Sequence, residues 1–158
     1  MLALPQAMLP ARFVWNESPS APAGLYWIEY GGWSRLDRVA VRPGKELSLE
    51  LQARGVLPAG RLLIKRIAGS EGDSVCRRGT SVSVNGAAVA EARSVDGEGR
   101  PLPDWQGCVR VGKGEVFLLG GGPASYDGRY FGVTPASEVV GRVRQLPNWS
   151  PLPSNRKN

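Results

Sequence analysis

The sequence predicts a mainly β domain of short antiparallel strands with one or two short helices. Three observations lead there. Gly 21 and Pro 13 among 158 residues interrupt the chain too often for long helices. Apolar and polar residues alternate over short runs, as in SVSV at 81–84. Those runs end at turn formers, most clearly at Asn85-Gly86, a strong hairpin signal. A chain of this length supplies one packed core rather than two.

Taken in order, residues 1–12 hold no firm element and read as a leader or the remnant of an N-terminal anchor. Phe13 to Trp15 starts a strand, and NESPSAPAG at 16–24 is irregular because Ser, Pro and Gly crowd it. LYWIEY at 25–30 is a strand of aromatic and branched residues, turned at Gly31-Gly32. A further strand runs from Leu36 to Val41 and stops at Pro43-Gly44. In KELSLELQARG at 45–55, Leu47, Leu51 and Arg54 follow helical spacing, and Gly55 suits a C-cap. Leu47, Leu49 and Leu51 also alternate, so a strand stays open there, with the helix preferred.

Leu57 to Gly60 turns into a strand around Lys65, and strand character resumes at Val75 before the 81–86 hairpin. Residues 91–107 are charged and rich in glycine, with Trp105 their one large anchor. They form the bulk of a variable insertion at about 87–107. Glu115 to Leu119 is an apolar strand between glycines, SYDGRYFG at 125–132 is a tight polar and aromatic turn, and Val139 to Val143 is a closing strand. The domain thus occupies 13–146, with 147–158 a polar tail. No internal repeat is present.

Composition removes several kinds of chemistry. The chain has no histidine, which excludes Ser-His-Asp and Cys-His triads and HExxH zinc sites. Two cysteines cannot form a four-Cys zinc site, and no motif calls for a cofactor. The net charge of +6 suits anionic lipid headgroups or nucleic acid. The basic residues are scattered and carry no reader motif, so nucleic acid is not the expected partner. No stretch approaches the ~20 apolar residues of a membrane span. Cys76 and Cys108 flank the insertion; an oxidising compartment would close them as a disulfide worth about 3.7 kcal/mol by loop entropy, and cytosol would keep them as thiols.

What remains is serine and lysine. Lys65 sits mid-strand in RLLIKRIAG, and an apolar surround lowers a lysine's pKa until the amine can act as a base near neutral pH. Read by itself, that stretch also fits an edge strand whose lysine points at water. Ser20 stands in a proline-restricted turn, and Ser125 lies near Asp127 and Arg129. Together these supply the parts of a serine–lysine hydrolase. Val14 and Trp15, or the 61–67 strand, would offer the edge to which an extended substrate adds.

Four segments in order carry a family resemblance: SAPAGLY at 20–26, ARGVLPAGRLLIKRIAGSEGD at 53–73, SVNG at 83–86 and SYDGRYFG at 125–132. The chain resembles type I signal peptidases, and more closely their conjugative-transfer branch, the TraF-type peptidases that process pilin precursors. The resemblance spans about residues 13–145. It implies a β-rich signal-peptidase-like domain that cuts precursor proteins or pilins after small residues, at the periplasmic face of the inner membrane, where the anchored protein meets the membrane surface. It implies Ser20 as nucleophile, Lys65 as general base, Ser125 orienting the lysine and Ser18 helping to hold the oxyanion. Asp127 and Arg129 become a structural ion pair, with Pro22 and Gly24 shaping the serine loop.

Two departures stand out. A hydrophobic anchor does not lead into the serine segment, and GGGPAS at 120–125 replaces the Gly-Asp and Asn that many signal peptidases carry. Two other readings use the same residues: a binding module of a secretion or conjugation complex, and a serine–lysine domain that cuts its own chain, for which Ala87-Ala88 and Ala7-Met8 are the candidate points. The resemblance leaves open whether water or an amine, giving a cyclic pilin, resolves the acyl-enzyme.

Overall fold

The structure, a computed structural model, describes residues 12–147; Ala7-Met8, nearly all of the leader and all but the first residue of the tail lie outside them. Among the described residues, eleven strands form two antiparallel sheets. The larger holds β1 (Phe13–Asn16), β2 (Gly24–Tyr30), β3 (Arg38–Val41), β4 (Leu63–Gly69), β9 (Glu115–Leu119), β10 (Val133–Pro135) and β11 (Val139–Gln145), in the order β1-β2-β11-β3-β4-β9-β10. The smaller holds β5 (Ser74–Arg78), β6 (Ser81–Val84), β7 (Ala87–Glu91) and β8 (Gly107–Arg110), in the order β7-β6-β5-β8.

Helix α1 spans Lys45–Ala53 and α2 is a single turn, Gly128–Phe131. The rival strand reading of 45–55 fails on burial: Leu51 is fully buried while Leu49 is 57% exposed, the helical period and not the alternating one. Arg54 caps α1, and Gly55 follows at φ +68°, a left-handed conformation that ends helices cheaply only at glycine. Asn85 (φ 51°) and Gly86 (φ 84°) make the expected tight hairpin between β6 and β7.

The strand expected at Leu36–Val41 starts at Arg38, because Leu36 itself takes φ 71°. β8 and β10 lie outside the strands that the sequence predicts. β8 is exposed along its whole length and β10 has three residues, so neither carries an alternating apolar signal. Within 87–107, Ala87–Glu91 is strand, while most of 92–106 is irregular and tied by a bridge between Val95 and Pro101. Cys76 and Cys108 face each other across β5 and β8 and are joined as a disulfide.

The core has three parts. Val39, Val41, Leu63, Ile67, Val116 and Leu118 pack beneath α1 with Tyr126 and Tyr130. Tyr26, Ile28, Ala40, Ile64 and Val143 form a second cluster near the serine loop. Val75, Val82, Val84, Phe117 and Leu119 join the two sheets. Each large apolar side chain buried in this way contributes about 1.5–3 kcal/mol. Among the described residues no helix is long and apolar enough to cross a membrane.

Candidate active site

Lys65 lies in β4 with its side chain 1% exposed. Its Nζ is 2.5 Å from Ser20 Oγ and 2.9 Å from Ser125 Oγ, and the two hydroxyl oxygens are 3.0 Å apart. Three residues separated by 45 and 60 positions thus close a triangle. Burial pushes the amine down to about 8, the larger effect. The Asp127 carboxylate raises it in part and the Arg129 guanidinium lowers it again. An uncharged amine keeps a lone pair that can accept the Ser20 proton while its own N–H donates to Ser125.

Why β4 buries a lysine follows from topology. β4 runs between β3 and β9, pairing Val39 with Lys65 on one side and Leu119 with Arg66 on the other. Pairing with β9 begins only at Arg66, so of the 61–67 strand offered as an edge it is the backbone of Leu63–Lys65 that has no strand on that side; β1, which carries Val14 and Trp15, is a terminal strand bonded to β2 alone. A cleft of about 380 Å³ runs past Ser20 there, with walls that include Trp15, Ser18, Leu57, Leu62 and Ile64.

The serine loop is held by Asn16, a residue the sequence reading missed. It is 5% exposed. Its Nδ2 donates to the carbonyls of Ser18 (3.1 Å), Ala21 (2.9 Å) and Pro22 (3.3 Å), and its Oδ1 accepts from the Ser18 hydroxyl at 2.8 Å and the Ser18 N–H at 3.2 Å. One amide thereby replaces the ladder bonds that an irregular buried loop lacks. Its only sequence signal was a polar residue closing a strand. The Ser20 N–H donates to Ser18 Oγ at 3.4 Å, while the Ser18 hydroxyl itself donates to Asn16 Oδ1. Tyr26 donates to the Pro22 carbonyl at 2.7 Å, and Gly24 opens β2 opposite Asn16.

The other wall is built on Asp127 and Arg129. Both are buried and doubly bonded, Nε to Oδ1 at 2.8 Å and Nη2 to Oδ2 at 2.9 Å. Asp127 also caps α2 and accepts the Gly120 N–H at 2.7 Å. The neighbouring Gly121 N–H donates to the Ser20 carbonyl at 2.7 Å. A Cβ on Gly120 would overlap the Ser125 hydroxyl and sit 3.0 Å from the Ser20 Cβ, so only glycine lets this loop approach so closely. Arg77, 2% exposed, donates to the Arg129 carbonyl at 2.9 Å and fixes α2 from below.

The structure therefore brings together Ser20, Lys65, Ser125 and Ser18, with Asp127, Arg129, Pro22 and Gly24 around them. Ala87-Ala88 lies on β7 of the other sheet, paired with β6. Among the described residues no group of His, Cys, Asp or Glu is arranged to hold a metal ion.

A buried lysine amine thus lies beside two serine hydroxyls on the larger sheet. The chain belongs to the signal peptidase family, peptidase S26, which it matches over residues 7–149. It is similar to a plasmid transfer protein TraF of Escherichia coli, at 29% identity over 85% of this chain and 82% of that protein. A probable conjugal transfer protein TraF of Sinorhizobium fredii is 32% identical over 86% of this chain and 77% of its own. A conjugal transfer protein TraF of Agrobacterium tumefaciens is 31% identical over 94% and 90%. Among solved structures, a signal peptidase I from Enterococcus faecalis aligns at a TM-score of 0.43 and 23% identity, over 72% of this chain and 98% of that one.

Proposed function

We propose that this protein is a serine endopeptidase of conjugative transfer, with Ser20 as nucleophile and Lys65 as general base. One observation carries the reading: a lysine amine 1% exposed, held near pKa 8, lies 2.5 Å from a serine hydroxyl. Family membership and the TraF-type relatives support a protease role in transfer. The substrate is a precursor or pilin with small residues before the cut, lying extended in the cleft between the serine loop and Leu62–Ile64.

Ser20 Oγ attacks the carbonyl carbon as its proton passes to Lys65 Nζ. The Ser20 N–H and the Ser18 hydroxyl, turned from Asn16, receive the developing oxyanion. Collapse breaks the C–N bond, the lysine ammonium protonates the leaving nitrogen, and an acyl-enzyme stays on Ser20. Neutral Lys65 then deprotonates a water, or an incoming amine, that attacks the ester and frees Ser20. Ser125 orients the amine throughout. The Cys76–Cys108 disulfide supports a periplasmic setting, with the anchored protein against the inner membrane.

The test is the intact mass of a membrane-embedded pilin precursor after incubation at pH 8 with the parent protein, Ser20→Ala or Lys65→Ala. The parent should cleave it, and each variant should lose about a thousandfold or more in rate. Loss of water from the trimmed product would reveal ring closure by an amine. Equal processing by the parent and Ser20→Ala would sink the assignment.

A further inference from the structure

Beyond the cleft past Ser20 lies a second cavity of about 260 Å³ whose wall includes Ser125. It shares Val56, Ala124 and Tyr126 with the first cleft, so the two meet along that ridge. Its apolar lining includes Val95, Leu102 and Tyr130, and its rim carries Arg54, Arg93, Arg100, Asp96 and Glu98.

The rim charges are unequally used. Arg100 Nε lies 2.7 Å from Asp96 and its Nη2 3.5 Å from Glu98. Arg54 reaches Glu50 at 3.4 Å and Asp96 at 3.7 Å, and stacks over the Tyr126 ring. Both acids of the rim are thus engaged by these two arginines. Arg93 is left over: its backbone N–H donates to the Tyr130 hydroxyl at 3.0 Å, and its guanidinium has no hydrogen bond or ion pair among the described residues.

We infer that this cavity is the subsite for the segment leaving after the scissile bond, and that Arg93 selects an acidic side chain in it. The inference rests on the serine–lysine reading above. In that reading the proton taken from Ser20 must be returned to the leaving nitrogen by Lys65, whose Nζ sits between Ser20 and Ser125. The leaving nitrogen therefore faces Ser125, and the chain beyond it runs over Ala124–Ser125 into the second cavity. The acyl side keeps the first cleft. A cavity with Leu102 and Tyr130 in its lining and one exposed guanidinium that makes no ion pair among the described residues accepts a short segment carrying a carboxylate, and disfavours a cationic one.

The experiment compares C-terminally amidated peptides, so that only a side chain supplies charge, with Glu, Gln or Lys within the first four residues after the cut. In the parent, kcat/KM should fall from Glu to Gln to Lys by roughly fivefold overall, and more at low salt. Arg93→Glu should reverse that order, and Arg93→Lys should keep it. Equal rates in the parent, or an unchanged order in Arg93→Glu, overturn the inference.

If the parent cleaves none of the peptides, the serine–lysine reading is judged on the membrane-embedded precursor, separately from the cavity. The cavity is then read by binding of the same labelled peptides to the Ser20→Ala protein. A salt-sensitive preference for the Glu peptide that reverses in Arg93→Glu sustains the subsite, and equal binding of Glu and Lys peptides overturns it.

Discussion

Lys65 and Arg129 are both buried cations, and the protein treats them in opposite ways. Arg129 is 3% exposed and has a bidentate carboxylate partner in Asp127, with further bonds to the Glu91 carbonyl at 3.0 Å and the Gly122 carbonyl at 3.4 Å. Lys65 is 1% exposed, and among the described residues its amine hydrogen-bonds two hydroxyls. The first arrangement pairs and hydrogen-bonds its cation on every side that the structure describes. The second leaves the charge poorly compensated, so the amine gives up its proton near neutral pH. A guanidinium could not do this, because it stays protonated at any physiological pH.

The comparison can be broken most forcefully at the paired cation. Asp127→Ala leaves the Arg129 charge buried alone and removes the acceptor for the Gly120 N–H, and should lower stability by about 3–5 kcal/mol. Chemical denaturation at constant pH measures it; a loss under about 1 kcal/mol would mean that water reaches Arg129.

Lys65→Met should act in the other direction. The folded pKa of about 8 lies below the ordinary lysine value of 10.5, so the charged form is penalised by about 3 kcal/mol at ~1.4 kcal/mol per unit. Below pH 8 lysine is protonated in both states and the full penalty weighs on the fold. Between about 8 and 10.5 the unfolded chain holds the extra proton, so parental stability rises with pH. The methionine variant should be the more stable protein at about pH 6–7, and the gap should close toward pH 10.5. A gap that stays constant across this range would contradict the buried-charge account.

On the proposed mechanism the same titration governs activity. With a neutral base required, kcat/KM should climb through a midpoint near pH 8 and then level. A flat profile from about pH 6 to pH 9 would show that Lys65 is not the titrating base. The smallest effect belongs to Ser125→Ala, which removes one hydrogen bond to the amine and leaves the base in place. About a tenfold loss in kcat is expected from the ~1–1.5 kcal/mol of one such bond.

Much of this was legible along the chain. Short alternating runs, Asn85-Gly86, the helical spacing of Leu47 and Leu51, and the order of the serine, lysine and final segments all depend on neighbours within a few residues. Asn16 was not legible, because its role is to satisfy three carbonyls of a loop whose shape exists only after folding. Gly120 hid among three consecutive glycines, and only the approach of Ser20 and Ser125 shows why it must be glycine. Arg77 carried no signal in the sequence, and it is buried and bonded to the Arg129 carbonyl in α2.

By itself the sequence determined the β-rich class, the absence of histidine chemistry and the residue types available for catalysis, since composition and local periodicity need no partner. Sheet order decided the rest. By running β4 between β3 and β9 it buried Lys65, and by stopping β9 at Leu119 it left room beside Lys65 for Ser20 and Ser125. A lysine's pKa and a 2.5 Å contact depend on what other parts of the chain exclude or bring near, and those distances are set only when the sheet closes.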